Sequence, residues 1–231
     1  MTIPPYPIQG PGRPYDLIAF DVDGTLVGNV EGKVVWNLLN RRFCADEVTE
    51  RARLEDYLAG RLTYQRWVDL DIGGWARAGA TREEMAAVIR QELYLVPGAR
   101  DTLRQLDELG YRMAVISGTL DITLEVLLPE HPFEVVFTNA VEFDAAGRIS
   151  GWMATRYDME GKARALAEIA GRMGIPTERT VYVGDNINDV HAMALAGFAV
   201  AFEPKHPSVA DAADHVIAGD LRQLLPLLRR L

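Results

Sequence analysis

Apolar residues along this chain fall in short uninterrupted runs, separated by stretches with helical spacing. Leu17-Ile18-Ala19-Phe20 is the first such run, and it stops abruptly at Asp21-Val22-Asp23-Gly24-Thr25. A run with no polar alternation predicts a strand buried on both faces of a parallel sheet. The pattern recurs at residues 113–116, 135–137, 181–183 and 198–201. Between the later runs lie helical stretches. Residues 101–109 place Leu103, Leu106 and Leu109 on one face and stop at Gly110. Residues 162–173 are rich in alanine and leucine and end at Gly174, with Pro176 beyond. Strand alternating with helix predicts an α/β fold built on a doubly wound parallel sheet.

Residues 31–95 break the alternation, because only helical patterns occur there. Thr81-Arg82-Glu83-Glu84 is a capping-box pattern ahead of Met85, Val88 and Ile89. About 65 helical residues between two strands exceed an ordinary crossover. The expectation is an inserted helical cap over 31–95, with 1–30 as lead-in plus first strand and 96–231 as the rest of the core. Val96-Pro97-Gly98 marks the return to the core. Phe143 to Ile149 predicts a hairpin turning at Gly147. Five prolines within the first fourteen residues predict an extended or mobile lead-in.

Composition narrows the picture. The 231 residues are 48% hydrophobic and 25% charged, which supplies a sizeable core. A net charge of -9 argues against a nucleic-acid-binding face. It leaves a phosphorylated substrate open, since a metal ion can mask local negative charge. No apolar run approaches the roughly 18 residues of a membrane helix, and the start lacks the pattern of a secretory leader. With a single cysteine, Cys44, no internal disulfide can form. These features predict a cytoplasmic protein with neither nucleic-acid nor membrane partners.

The candidate chemistry gathers at predicted strand ends, where open α/β sheets bind ligands. Asp21 and Asp23 end the first strand, and a pair of carboxylates there needs a cation or a proton. A simple Asp-Gly turn is the alternative. Val183-Gly184-Asp185-Asn186-Ile187-Asn188-Asp189 ends another strand in carboxylates. Asp185 and Asp189 could join Asp21 in an oxygen-rich site suited to Mg2+, or could simply cap a helix. Ser117-Gly118-Thr119 at a strand end offers a hydroxyl and backbone N–H groups to a phosphate, with an ordinary N-cap as the alternative. Lys162 opens a helix, where a cation opposes the helix dipole. The chain has only three lysines, Lys33, Lys162 and Lys205, against 21 arginines. A role requiring a compact point charge accounts for Lys162; a solvated surface lysine is the alternative.

These four elements, in this order, resemble the haloacid dehalogenase superfamily of phosphohydrolases, from Asp16 to about Ala201. The resemblance implies a phosphatase acting on a small-molecule phosphomonoester. It assigns Asp21 as nucleophile and Asp23 as general acid/base. It implies Mg2+ held by Asp21, the Asp23 carbonyl and Asp185, with Asp189 ligating or steering a metal-bound water. Thr25, Ser117, Gly118, Lys162 and Asn188 become phosphate-binding residues. A phosphotransferase or phosphomutase using the same intermediate is one alternative, and a non-catalytic phosphometabolite binder another. The second aspartate of the pair favours an enzyme over a binder.

Within the superfamily the chain is similar to the phosphoserine phosphatase-like branch. That branch carries a glutamate nine positions after the nucleophile to meet the substrate's amino group. Here Val30 holds that position, with Glu31 beside it. Arg61 and Arg66 are the cap candidates for a substrate carboxylate. The expectation is weak preference for phosphoserine. Trp36, Trp67, Trp75, Tyr57 and Tyr64 are expected mainly to pack the cap. The four histidines, His131, His191, His206 and His215, lie outside every motif.

Overall fold

The computed structural model describes residues 13–44 and 47–230. The proline-rich lead-in expected at the start lies almost wholly outside the described residues. The chain runs through β1 (Leu17–Phe20), β2 (Val27–Gly28), α1 (Val35–Phe43), α2 (Glu47–Leu58), α3 (Tyr64–Arg77), α4 (Arg82–Glu92) and β3 (Tyr94–Leu95). It continues through α5 (Ala99–Glu108), β4 (Arg112–Leu120), α6 (Asp121–Leu127), β5 (Val135–Phe143), β6 (Ile149–Met153) and α7 (Lys162–Met173). The last elements are β7 (Thr180–Gly184), α8 (Val190–Leu195), β8 (Phe198–Phe202), α9 (Pro207–Ala212), β9 (His215–Ile217) and α10 (Leu224–Arg230).

Seven strands form one sheet in the order β6-β5-β4-β1-β7-β8-β9. Every pairing is parallel except β5 with β6, the hairpin turning through Gly147. Strand β1 sits in the middle. Its alternate residues enter two apolar layers: Ile18 and Phe20 on one face, Leu17 and Ala19 on the other. All four are fully buried, which is why β1 reads as an unbroken apolar run. From β1 the chain builds outward to β4 and β5, then returns to the other side of β1 for β7, β8 and β9. The order therefore reverses beside β1, and the ligand crevice of such sheets opens at that point.

Two local features were not visible in the apolar pattern. First, β4 does not stop at Ile116. Ile116 pairs with Phe137 and Leu120 pairs with Asn139, so three residues of β4 oppose one of β5. Ser117, Gly118 and Thr119 thus bulge from the ladder, and α6 starts only at Asp121. A bulge lifts backbone groups out of strand pairing and re-aims side chains. Second, β2 and β3 form a two-stranded antiparallel ribbon at the point where the chain leaves the core and returns to it. Helices α1 to α4 lie between the two ribbon strands.

Those helices pack for readable reasons. Thr81 caps α4 with the full reciprocal box, its hydroxyl accepting from the Glu84 N–H. Val35, Leu38 and Leu39 of α1 meet Val68, Ile72 and Trp75 of α3 in the larger apolar cluster. Trp75 is fully buried and donates its indole N–H to Asn40 at 2.7 Å. Helix α2 buries none of its residues and has no apolar stripe to bury.

Candidate active site

The carboxyl ends of β1, β4 and β7 are neighbours in the sheet, and they bring Asp21, Ser117 and Asp185 together. Asp21 is buried. Its Oδ2 lies 3.0 Å from the Lys162 ammonium, and its Oδ1 has no hydrogen-bond partner. Burial pushes the Asp21 carboxyl well above the usual range, against the pull of Lys162. Lys162 reaches the site because it is the first residue of α7, which packs beside β4. Burial works against its charge, but Asp189, Asp21 and Asp158 outweigh that effect and hold it firmly protonated.

Asp189 is fully engaged. Its Oδ1 accepts from Lys162 and from the Tyr182 hydroxyl, both at 2.7 Å. Its Oδ2 accepts the backbone N–H groups of Asp185 and Asn186, both at 3.0 Å. Asp185 is completely buried, with Oδ2 2.7 Å from the Lys205 ammonium. Burial raises its pKa, and Lys205 opposes the rise. The Thr25 hydroxyl, also fully buried, donates to Asp185 Oδ1 over a long 3.4 Å. Thr25 is therefore turned onto a carboxylate. Gly24 makes this approach possible: its φ is +91°, and a Cβ there would stand 2.0 Å from Asp185 Oδ2.

Asp23 lies two residues beyond Asp21, at the edge of the same crevice. Its pKa is raised to about 7, first by burial, with Asp158 and Asp185 adding to the rise and a hydrogen bond from Thr119 opposing it. Ser117 is buried at the start of the bulge, and its Oγ accepts the Thr119 N–H at 3.2 Å. Asn188 donates to Asp158 at 3.2 Å, and its own side-chain oxygen is buried without a partner.

Asp21, Asp185 and Asp189 each bring a carboxylate oxygen within 4.8 Å of the others. The unpartnered Asp21 Oδ1 is the telling feature, because a buried anionic oxygen without a donor is costly. A hard divalent cation is the group that such oxygens would hold. The residues present fit one. Asp21 and Asp185 keep lone pairs for it, whereas all four donors on Asp189 are already in place.

Beyond the crevice, under α1 to α3, lies a cavity of about 430 Å3. Trp36, Tyr64 and Trp67 form its aromatic walls, and Lys33, Glu50 and Asp158 face it. Trp36 donates its indole N–H to the Gly118 carbonyl at 2.8 Å, and the Asn139 amide donates to the Tyr64 hydroxyl at 2.8 Å. Three of the five cap aromatics thus line this cavity, while Trp75 packs the core.

The cap residues singled out by position do not reach this cavity. Val30 is 90% exposed. Glu31 is exposed, and its carboxylate faces Arg41 at 3.5 Å. Arg61 pairs with Asp56 on the surface, at 2.7 Å. Arg66 is an exposed residue of α3. The residue missed in the sequence is Asp158, in the loop before α7. Burial raises its pKa, and Tyr64 and Asn188 hydrogen-bond to it.

A sheet of this order, with carboxylates, a bulge hydroxyl and a buried lysine at its strand ends, defines a doubly wound α/β core carrying a helical insertion. The match to known proteins is specific. The model of the haloacid dehalogenase-like hydrolase family matches residues 15–197, and the chain belongs to that family. It is 35% identical over 201 residues to the phosphoserine phosphatase SerB2 of Mycobacterium tuberculosis, covering 86% of this chain and 46% of that protein. It is 31% identical over 202 residues to the phosphoserine phosphatase of Streptomyces coelicolor, covering 87% and 47%. The chain therefore spans about half the length of these relatives. A solved structure described as a phospho-aspartyl intermediate analogue of phosphoserine phosphatase superposes with a TM-score of 0.70 at 26% identity, covering 92% of this chain and 98% of that one.

Proposed function

We propose that the protein is a Mg2+-dependent phosphatase that hydrolyses a small phosphomonoester through an aspartyl-phosphate on Asp21. The observation carrying this reading is the asymmetry of Asp21. One oxygen is neutralised by Lys162, and the other is buried and unpartnered. The Asp21 carboxylate is the nucleophile, one oxygen attacking while the other is left for the metal. It forms the new O–P bond as the bond from phosphorus to the alcohol oxygen breaks. Asp23, with a pKa near 7, gives its proton to the departing alcohol oxygen. It then takes a proton from the water that attacks the aspartyl-phosphate and releases inorganic phosphate.

In this reading the Ser117 hydroxyl and nearby backbone N–H groups of the bulge hold the transferring group, and Lys162 supplies a positive charge to it. Gly118 and Asn188 complete the cradle, and Thr25 holds Asp185 in place. The metal would be held by Asp21, the Asp23 carbonyl and Asp185, and when bound it neutralises phosphate charge that would repel the nucleophile. Asp189 acts as the anchor of Lys162 and of the turn after β7. Residues 31–95 form the cap that chooses the leaving group, over a core made of 1–30 and 96–231. The relatives' names support phosphoserine-type substrates. The single thiol, Cys44, suits a reducing cytoplasmic setting.

The test is phosphate release from a panel of phosphomonoesters with Mg2+ present, joined to acid trapping of labelled protein. Release together with an acyl-phosphate on Asp21 is expected. Turnover without any trapped or exchangeable phosphoryl group would remove the covalent route. Transfer to an added alcohol in preference to water would favour the phosphotransferase alternative.

A further inference from the structure

We infer that Asp158 determines specificity by meeting a positively charged nitrogen on the leaving alcohol, an inference that rests on the phosphatase reading above. Asp158 stands where the phosphate cradle meets the cap cavity. A Cβ built on Gly118 would lie 2.1 Å from Asp158 Oδ2, so the carboxylate packs directly on the bulge that follows Ser117. The same residue lines the cavity beyond. An alcohol leaving from a phosphate at Ser117 and Lys162 into that cavity must pass it.

Asp158 is also uncommitted as a charge. It receives hydrogen bonds from Asn188 and Tyr64, both neutral. Among the described residues, no ammonium or guanidinium comes within 4.0 Å of it, and the nearby Lys162 is spent on Asp21 and Asp189. The other acids around the cavity divide in two. Glu47 pairs with Lys33 at 3.0 Å, and Asp71 pairs with Arg53. Glu50 accepts from Asn37 on one oxygen, and its Oε1 is buried without a partner. Two unpaired carboxylates therefore face the cavity against one basic residue without an ion pair, Arg51.

The walls agree with that sign of charge. Trp36, Tyr64 and Trp67 line the space that the two acids border. Aromatic rings beside a carboxylate are complementary to an organic ammonium. A neutral alcohol of the same shape would leave Asp158 without a countercharge in a desolvated pocket. The acid comes from the loop before α7, on the core side, whereas Val30 and Glu31 point to solvent. Recognition of the nitrogen is thus moved from the start of the insertion to the strand-to-helix loop that also carries Lys162.

The experiment compares kcat/KM on two matched pairs with the Mg2+-loaded protein. Phosphoethanolamine is set against propyl phosphate, and phosphocholine against 3,3-dimethylbutyl phosphate. An aryl phosphate serves as the control for the phosphatase reading. The expected result is a preference of about tenfold or more for the ammonium member of at least one pair. Asp158→Asn is expected to reduce that preference about tenfold, mainly through KM. Preference in the first pair alone indicates N–H donation to the carboxylate, and preference in the second indicates charge and ring contact. Equal efficiency within both pairs, with phosphate still released, overturns the inference and leaves the phosphatase standing; so does an Asp158→Asn protein that keeps the full preference. No release from any ester, the aryl phosphate included, removes the phosphatase reading itself. The parent-protein pairs decide the question even if the variant does not fold.

Discussion

Lys162 and Asp189 form an ion pair at 2.7 Å with 1% and 0% of their side chains exposed. Lys162 touches Asp21 as well, so this pair sets the position of the only ammonium in contact with the proposed nucleophile among the described residues. Removing Asp189 leaves Lys162 with Asp21 alone and deprives the Tyr182 hydroxyl and two backbone N–H groups of their acceptor, at a cost of about 3–5 kcal/mol. Asp189→Ala is expected to lose stability in that range by urea unfolding. It also frees the N–H groups of Asp185 and Asn186, so turnover is expected to fall more than the stability loss explains at temperatures where the protein stays folded. A variant within about 0.5 kcal/mol of the parent would show that the pair does not anchor the site.

Asp21→Asn keeps the shape of the side chain and removes its charge. Turnover is expected to drop by several orders of magnitude, on the order of the loss seen for nucleophiles that act as a unit with their partners. Stability is expected to hold or rise, because burial opposes the Asp21 charge. Unfolding midpoints and initial rates on one preparation check both.

The pH profile follows from Asp23. Its carboxyl must be protonated to donate to the leaving alcohol, and burial keeps it protonated up to about pH 7. Above that value kcat/KM for an alkyl phosphate is expected to fall, by about tenfold per pH unit well past the pKa. Asp23→Asn is expected to lose 10²–10⁴-fold, on the order of general acid catalysis, and to flatten this limb. Aryl phosphates, whose leaving groups need less help, are expected to lose less. Equal losses on both substrate types would assign Asp23 a purely structural part.

Chelation is expected to abolish phosphate release and Mg2+ to restore it, with Ca2+ restoring it poorly because its coordination shell is larger and looser. Asp185→Ala is expected to raise the Mg2+ concentration needed for half-maximal activity. Full activity in chelator would sink the metal assignment.

Gly24→Ala tests the close approach of the first loop to Asp185. The substitution adds a Cβ at φ +91° and 2.0 Å from a carboxylate oxygen. It is expected to cost at least about 1 kcal/mol in stability and to raise the Mg2+ concentration needed for half-maximal activity, as Asp185→Ala does. Unchanged melting and metal titration would show that the loop yields freely.

The parts legible in the sequence are those written in local periodicity. Strand β1 shows as four apolar residues because both its faces are covered. Helix α7 begins at Lys162 and ends at Met173, as its alanine and leucine spacing predicts. The Thr81 box marks the start of α4. The bulge at Ser117–Thr119 was not legible, because register belongs to two strands and not to one. The β2–β3 ribbon is too short to leave a pattern. Glu31 follows from counting along the chain from Asp21, and Arg61 and Arg66 from their place in the insertion; neither fixes which way a side chain points. Asp158 sits in an aperiodic loop, and only its packing on Gly118 shows where it points.

The ribbon has a consequence for the history of such chains. Residues 29–93 depart from and rejoin the core at adjacent backbone positions, since Gly28 is paired with Tyr94. Whatever is spliced between those two points leaves the order of β4, β1 and β7 untouched. The helical segment can therefore change in length and sequence without disturbing the register that brings Asp21, Ser117 and Asp185 together, whereas Asp158, outside it, stays tied to the loop that carries Lys162.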